Sequence, residues 1–592
     1  MKKYYLLILT LALSTGALFA QTFPGAGSGD YRSIIDGSSY HFWNDNANWE
    51  KHDGSTWSAT TDIPGVTSSI SYNVYIQLNT YLRTTVTIET AGKIWVRDNG
   101  AVTLNLGLGT GITGGITNNG DIDIQSGGNA KLKIWDNSHI WVNAGGTITD
   151  NSGGGITSTA ATSIVLYSTS GTENASLITA SVVTATVEQY ISSGQWHFVS
   201  PALSGVTAND FWNGVNDVYI KPYLSPGGGW GGYITDIGTA INVGEGYEVW
   251  ETTALTFSKS GSLNTGNQTL TLGTGGTGAD ADWNLVGNPY PCGLDWNLIT
   301  DKTKAVGSAF YVYDGTSYLN HNGSTGTASS SIIPPFQGFF VQSNGGGNIS
   351  FSNTEKAHPG VELYKSSKEE TYTNHIKLVA DLGGQKSTTI FYQQDAATNG
   401  KDIQFDAPML FGSSDIMEVY TFSADQKTSI NIYGEYPYVI EVAFKVPDGG
   451  GDITLTPTDL RYLDANLLVH LQDKETGDYI NFLENPSYTF SAPTGDVTDR
   501  IYLIFNNNVG IDDIDKEKIQ IYSHNNTVYL NFNNHQFNGE IKIYNVLGQA
   551  VYSAETSNNL YLPLYLNQPS GYYFVELITE EESITQKVFI QQ

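Results

Sequence analysis

Chemistry in this sequence would have to begin with very few residues. Cys292 is the only cysteine. A catalytic thiol needs a nearby base or a positive environment to hold it as thiolate. Cys292 instead sits in Asn-Pro-Tyr-Pro-Cys-Gly with no histidine close in sequence, so it reads as a small buried or turn residue. The ten histidines are scattered, and His524 and His535, eleven apart across a strand and a turn, fit no metal-ligand spacing. Zinc-protease, nucleophile-elbow, phosphate-loop and paired-cysteine patterns are all missing.

Two carboxylate pairs are candidates. Asp121 and Asp123 point the same way if 121–124 is a strand, and Asp280 and Asp282 flank Ala281 just before Trp283. Each could lend oxygens to calcium or stand as a solvated strand-edge charge. A glycosidase needs two carboxylates at a set separation across a cleft, and nothing marks one pair for that role. The expectation is a protein without catalytic residues or an organic cofactor, with calcium the one ion its acidity could recruit.

Aromatic side chains are the other resource. Exposed Trp and Tyr offer flat apolar platforms for sugar rings. Trp43, Trp49 and Trp57 crowd a polar stretch, YHFWNDNANWEKHDGSTW, and Trp230 lies in GGGWGGY. These four are the candidate ligand-contact residues. The competing reading is that they cap sheet ends, the early three covering the first turn of a solenoid.

The chain has 592 residues, which suggests about four domains at roughly 150 each. Hydrophobic residues make up 40%, enough for real cores. Sixty-five glycines and 12% aromatics favour strands and turns, while 15% charged residues are too few for a helical bundle. The net charge of −30 argues against nucleic acid or an anionic membrane as partner. One cysteine allows no internal disulfide.

Residues 1–20, MKKYYLLILTLALSTGALFA, pair a basic start with a short apolar run and small residues. They read as an export signal cut before Gln21, with a membrane anchor as the competing reading. No later stretch is long and apolar enough to span a membrane. From about 70 to 150, alternating pairs such as Ile94/Val96, Ile122/Ile124 and Ile140/Val142 recur between Asn/Gly corners. KIWVRDNGAVTLN (93–105) and KIWDNSHIWVN (133–143) look alike. Such spacing predicts a short β-solenoid over 21–165, with a hairpin sandwich as the competing fold. The region is loosely similar to solenoids of bacterial surface and autotransporter-type proteins.

Residues 185–360 carry an internal duplication. QWHFVSP (195–201) matches DWNLVGNP (282–289), and GEGYEVW (244–250) matches FQGFFVQ (336–342). Two similar β-sandwich modules, or two halves of one, are expected. Residues 370–507 contain six further strand-like runs, predicting an antiparallel sandwich. The polar, acidic NNNVGIDDIDKEK (506–518) reads as a linker. Residues 516–592 hold about seven short strands, an immunoglobulin-like count. The fold class is therefore all-β and multidomain.

IYNVLGQAVY, a loop, SGYYFVEL and a terminal QKVFIQ closely resemble the C-terminal (type A) sorting domain of type IX secretion cargo of Bacteroidetes. The matching positions are Ile543, Tyr544, Asn545, Gly548, Gln549, Gly571, Tyr573, Val575, Lys587 and Val588. The two preceding regions also resemble modules that often accompany it. The resemblance implies passage across the inner membrane, recognition by the outer-membrane translocon and sorting machinery, and release or attachment to surface lipopolysaccharide, usually with cleavage of the domain. It implies that a face of 516–592, with Lys587 and its strand, is what the machinery reads. Three functions remain: an adhesin-like or structural surface protein, a carbohydrate-binding surface protein, and a secreted hydrolase or lyase.

Overall fold

A computed structural model describes the chain except residues 1–25, 27, 35–40, 67–68, 78–79, 84, 97–102, 107–114, 125–130, 135–138, 143–145, 151–154, 159–162, 170–173, 213, 215–216, 278–280, 359–372, 438, 461–462, 465–466, 508–519, 533–536, 560, 579–582 and 592. The export signal, Asp280, His535 and most of the acidic linker lie outside the described residues.

Three sheets, parallel along the coils and antiparallel only at their edges, wind the N-terminal region into a three-faced β-helix. On one face Asn73–Ile76, Lys93–Val96, Asp121–Ile124, Thr147–Asp150 and Ser176–Ile178 stack in register. A second face runs from Thr85–Ile88 to Thr184–Ile191, and a third from His41–Phe42 to Ile156–Ser158. The alternating sequence explains the coil, since every second residue points inward. Val74, Ile94, Ile122, Ile148 and Leu177 form one interior file, each at most 1% exposed. Glycine precedes three strands of the first face because the corners touch: a Cβ on Gly92 would sit 2.0 Å from the Ile70 carbonyl oxygen, and one on Gly120 2.2 Å from that of Gly92. The coil length comes from Lys93, Asp121, Thr147 and Ser176, which stack at spacings of 28, 26 and 29 residues. The look-alike segments at 93 and 133 fall on different faces, so their similarity reflects shared strand chemistry and not the repeat.

The duplication is visible in the pairing. In the first copy Trp196–Val199 pairs with Tyr247–Glu251, which pairs with Val218–Pro222. In the second, Trp283–Gly287 pairs with Gly338–Gln342, which pairs with Phe310–Tyr313. The strand ahead of each tryptophan also finds an equivalent partner: Thr184–Ile191 with Leu255–Ser262, and Gln268–Leu272 with Gly347–Phe351. Because Thr184–Ile191 also continues a face of the β-helix, the first copy grows directly out of the solenoid.

Residues 373–507 form one hydrogen-bonded sheet of eleven strands, not two separate sheets. It folds over a shared core that includes Leu378, Val442, Phe444, Leu471 and Leu503. Register shifts between Thr373 and Ile376 and between Val442 and Phe444 mark bulges, which bend long strands. Gln385–Gln393 and Gln426–Tyr433 run parallel, where an all-antiparallel sheet is expected from the sequence. Among the described residues the C-terminal region has seven strands in sheets of three and four, closed over Val528, Ile541, Val575, Leu577 and Ile590.

Candidate functional site

The candidates for bond-making chemistry are placed in structural roles. Cys292 is 1% exposed, and burial pushes its thiol up to about 12, so it stays protonated. Asp121 and Asp123 do share a face of their strand. Asp121 accepts a hydrogen bond from the Thr147 hydroxyl, and Asp123 pairs with Lys93 at 3.3 Å. Asp282 holds a left-handed turn (φ 65°), accepting from the Gly275 amide at 2.8 Å. His524 packs on Tyr502, and burial lowers its pKa. Among the described residues no three His, Cys, Asp or Glu side chains converge as a metal site.

Trp43 and Trp49 are fully buried and so are unavailable as platforms. Their rings meet edge to face at 4.9 Å over the first coil, and their indole N–H groups donate to the carbonyls of Pro64 and Trp43. The apolar end of a coil has to be covered, and two large rings do that. Trp57 is half-buried, with the Arg32 guanidinium over its ring at 4.7 Å. Trp230 is half-buried in a ring cluster with Phe198 at 5.7 Å and Tyr223 at 5.4 Å.

A more open aromatic surface lies on the outer face of the first repeat. Trp196, Trp250 and Tyr219 are direct cross-strand neighbours there, and Phe198, Glu248 and Lys221 form the next row, in which Phe198 and Glu248 are buried. The opposite face supplies Val249 and Ile220 to the core shared with the β-helix, which fixes the direction of the row. Tyr219 is 40% exposed and Tyr233, 5.5 Å from it, is 53% exposed. Tyr219 meets Trp250 at 5.6 Å. The Lys221 ammonium lies over Trp196 at 4.4 Å and Tyr233 at 4.9 Å, and pairs with Glu248 at 2.7 Å. Burial raises the Glu248 pKa, and Lys221 opposes that shift. The sequence carries a signal for this row: Tyr219/Lys221 and Glu248/Trp250 each alternate within a strand.

In the C-terminal domain the motif residues divide by direction. Tyr573, Val575 and Val588 point into the core, and the Tyr573 hydroxyl donates to the Pro569 carbonyl at 2.8 Å. Asn545 accepts from the amides of Leu547 and Gln549, both at 3.0 Å, and closes a hairpin turn in which Gly548 has φ 76°. Gly571 opens its strand opposite Ile590. Tyr544 donates to Glu576 at 3.0 Å. Lys587 is exposed, as are Gly548 and Gln549 in the hairpin turn, and its ammonium lies 4.6 Å from the Tyr572 ring. The outer face carries the residues between the motif positions: Tyr572, Phe574 and Phe589, at 52%, 37% and 47% exposure.

Residues 524–591 match the family model described as secretion system C-terminal sorting domain. The chain is type IX secretion cargo. It is handled by the type IX machinery and exported to the cell surface or the extracellular space. Residues 296–505 of this cargo match a second model, described as domain of unknown function (DUF8693), which spans part of the second repeat and the eleven-stranded sheet. No curated protein matches the sequence. Among solved structures, the chain is similar to "Biofilm associated protein - BSP domain" at 7% identity, covering 69% of this chain and 92% of that one with a TM-score of 0.16. It is similar to "The Bacillus anthracis TIE protein" at 10% identity, covering 69% and 72% with a TM-score of 0.10. Likenesses this low carry no argument about fold or role. No described helix is long and apolar enough to cross a membrane.

Proposed function

We propose that this secreted protein is a non-enzymatic, adhesin-like component of the cell surface. The observation that supports this reading best is how the modules join. The Lys356 ammonium, on the second repeat, donates to the Thr179 carbonyl at the foot of the β-helix at 3.1 Å and also reaches the Thr265 carbonyl. His358 bridges Thr149 at 2.7 Å and Ser176 at 2.8 Å. At the next junction the Tyr311 hydroxyl donates to the Pro408 carbonyl at 2.7 Å. Trp283, Tyr311 and Phe340 of the second repeat share one apolar cluster with Ile390, Tyr392 and Ile430 of the eleven-stranded sheet. Tyr522 and Tyr529 of the sorting domain pack on Ile504.

Buried hydrogen bonds and shared cores at successive junctions resist hinge motion, whereas domains that must close on a substrate keep looser interfaces. A stiff series of β-modules suits display. The purified mature chain, coupled to beads, is expected to hold them to surfaces coated with cell-wall or host material. It is expected to release no new reducing ends from soluble polysaccharides. Steady release of such ends would replace this reading with a hydrolase.

A further inference from the structure

The duplication makes the outer face of the first repeat unusual. In the second repeat the equivalent row is Leu285, Phe340 and Tyr311. It is wholly apolar or aromatic, and the eleven-stranded sheet buries it. In the first repeat the same row is Phe198, Glu248 and Lys221, next to Trp196, Trp250 and Tyr219. The two faces meet where Phe198, itself buried in that cluster, touches Phe340 at 5.4 Å; beyond it Glu248 is also buried, and the open part of the first face is the exposed Tyr219 and Tyr233 beside the half-buried Trp250. Where the second copy is built for a protein sheet, the first has a Lys–Glu pair among rings and no aliphatic side chain in either row.

We propose that this face binds a neutral glycan. Sugar rings would stack on Tyr233, Tyr219 and Trp250, and their hydroxyls would meet the Lys221 ammonium, which the buried Glu248 carboxylate holds in place at 2.7 Å. Aromatic faces attract the apolar faces of sugars, while a fixed ammonium donates hydrogen bonds to their hydroxyl oxygens. The rings are 5.5 and 5.6 Å apart and tilted by 62° and 63°, a stepped surface that offers more than one sugar a contact. The net charge of −30 disfavours acidic polysaccharides, which selects the neutral class. The inference supplies a ligand class for the adhesin-like reading and rests on it.

The test uses the full mature chain with neutral hexasaccharides of glucose, mannose, xylose and N-acetylglucosamine, each titrated by calorimetry and tryptophan fluorescence. Saturable binding of at least one is expected, weakened at least tenfold by Trp250→Ala or Tyr219→Ala. Tyr233→Ser, at a half-exposed ring, should weaken it with unchanged thermal unfolding, which guards against a folding artefact. No binding by any of the four, or binding indifferent to all three substitutions, overturns the proposal. Self-association through this face, lost in Tyr219→Ala, would assign it to a second copy and overturn it equally. If cells bearing Tyr219→Ala attach like wild type while cells lacking the chain do not, the glycan site falls and the adhesin-like reading stands.

Discussion

The Lys356 ammonium lies 3.1 Å from the Thr179 carbonyl oxygen, so a lysine 177 residues downstream closes the last coil of the β-helix. It also donates to Asn353 at 2.7 Å and rests over the Tyr290 ring at 4.4 Å. Only 8% exposed, this cation has its pKa lowered by burial. Lys356→Met keeps the length and strands buried carbonyls. It should cost about 2–3 kcal/mol in urea unfolding. A change below the error of that measurement would remove the lysine from the junction's energetics.

Gly307 makes the second junction close. Its amide donates to the Ile403 carbonyl at 2.6 Å, and a Cβ there would lie 2.0 Å from the Asp406 carbonyl oxygen. Its φ is 64°. Gly307→Ala should destabilise by more than Gly383→Ala, where φ is 61° but nothing lies within 4 Å. Backbone strain alone is worth about 1–2 kcal/mol, so the difference between the two variants isolates the clash. Equal losses in thermal unfolding would mean the junction relaxes.

Acid should loosen the first junction through His358. Burial lowers its pKa to about 4 from 6.5, so the folded protein holds it neutral while the unfolded chain protonates it first. The stability it supports is complete above pH 6.5 and falls as pH drops toward 4, by up to about 3 kcal/mol. Many carboxylates titrate in the same window, so the measurement is a comparison of wild type with His358→Gln at pH 7.5 and 4.5. The variant should lose less on acidification. An identical loss would show that His358 does not carry the effect.

Much of the architecture was legible, for physical reasons. Period-two alternation with a glycine before Lys93, Asp121 and Thr147 encodes a coil, because interior files and touching corners leave few residue choices. The duplication survived because both copies bury the same strand pairs. The single continuous sheet of 373–507 was not legible, since bulges depend on which strands meet. Nor was the direction of the tryptophans. Trp43 and Trp49 sit in a polar stretch, yet the end of a coil needs covering more than it needs solvent-facing rings. The open row at Tyr219 and Trp250 needed the register of three strands brought together from separate places in the sequence.

The division within the sorting domain gives a further expectation. Val575→Ala removes buried methyls and should lower the stability of the domain by about 1–3 kcal/mol. Phe589→Ser and Lys587→Ala act on exposed positions and should leave unfolding within about 0.5 kcal/mol of wild type. If the outer face is what the machinery reads, cell fractionation will show those two variants folded but retained in the periplasm. Normal secretion of both would leave the motif with a purely folding role.

The most direct measurement of the central claim is attachment. Cells that secrete the wild-type chain, cells lacking it and cells with it restored would be counted on polysaccharide-coated surfaces under flow. An adhesin-like surface protein predicts a severalfold drop on deletion, recovered on restoration. Equal attachment by all three would contradict it.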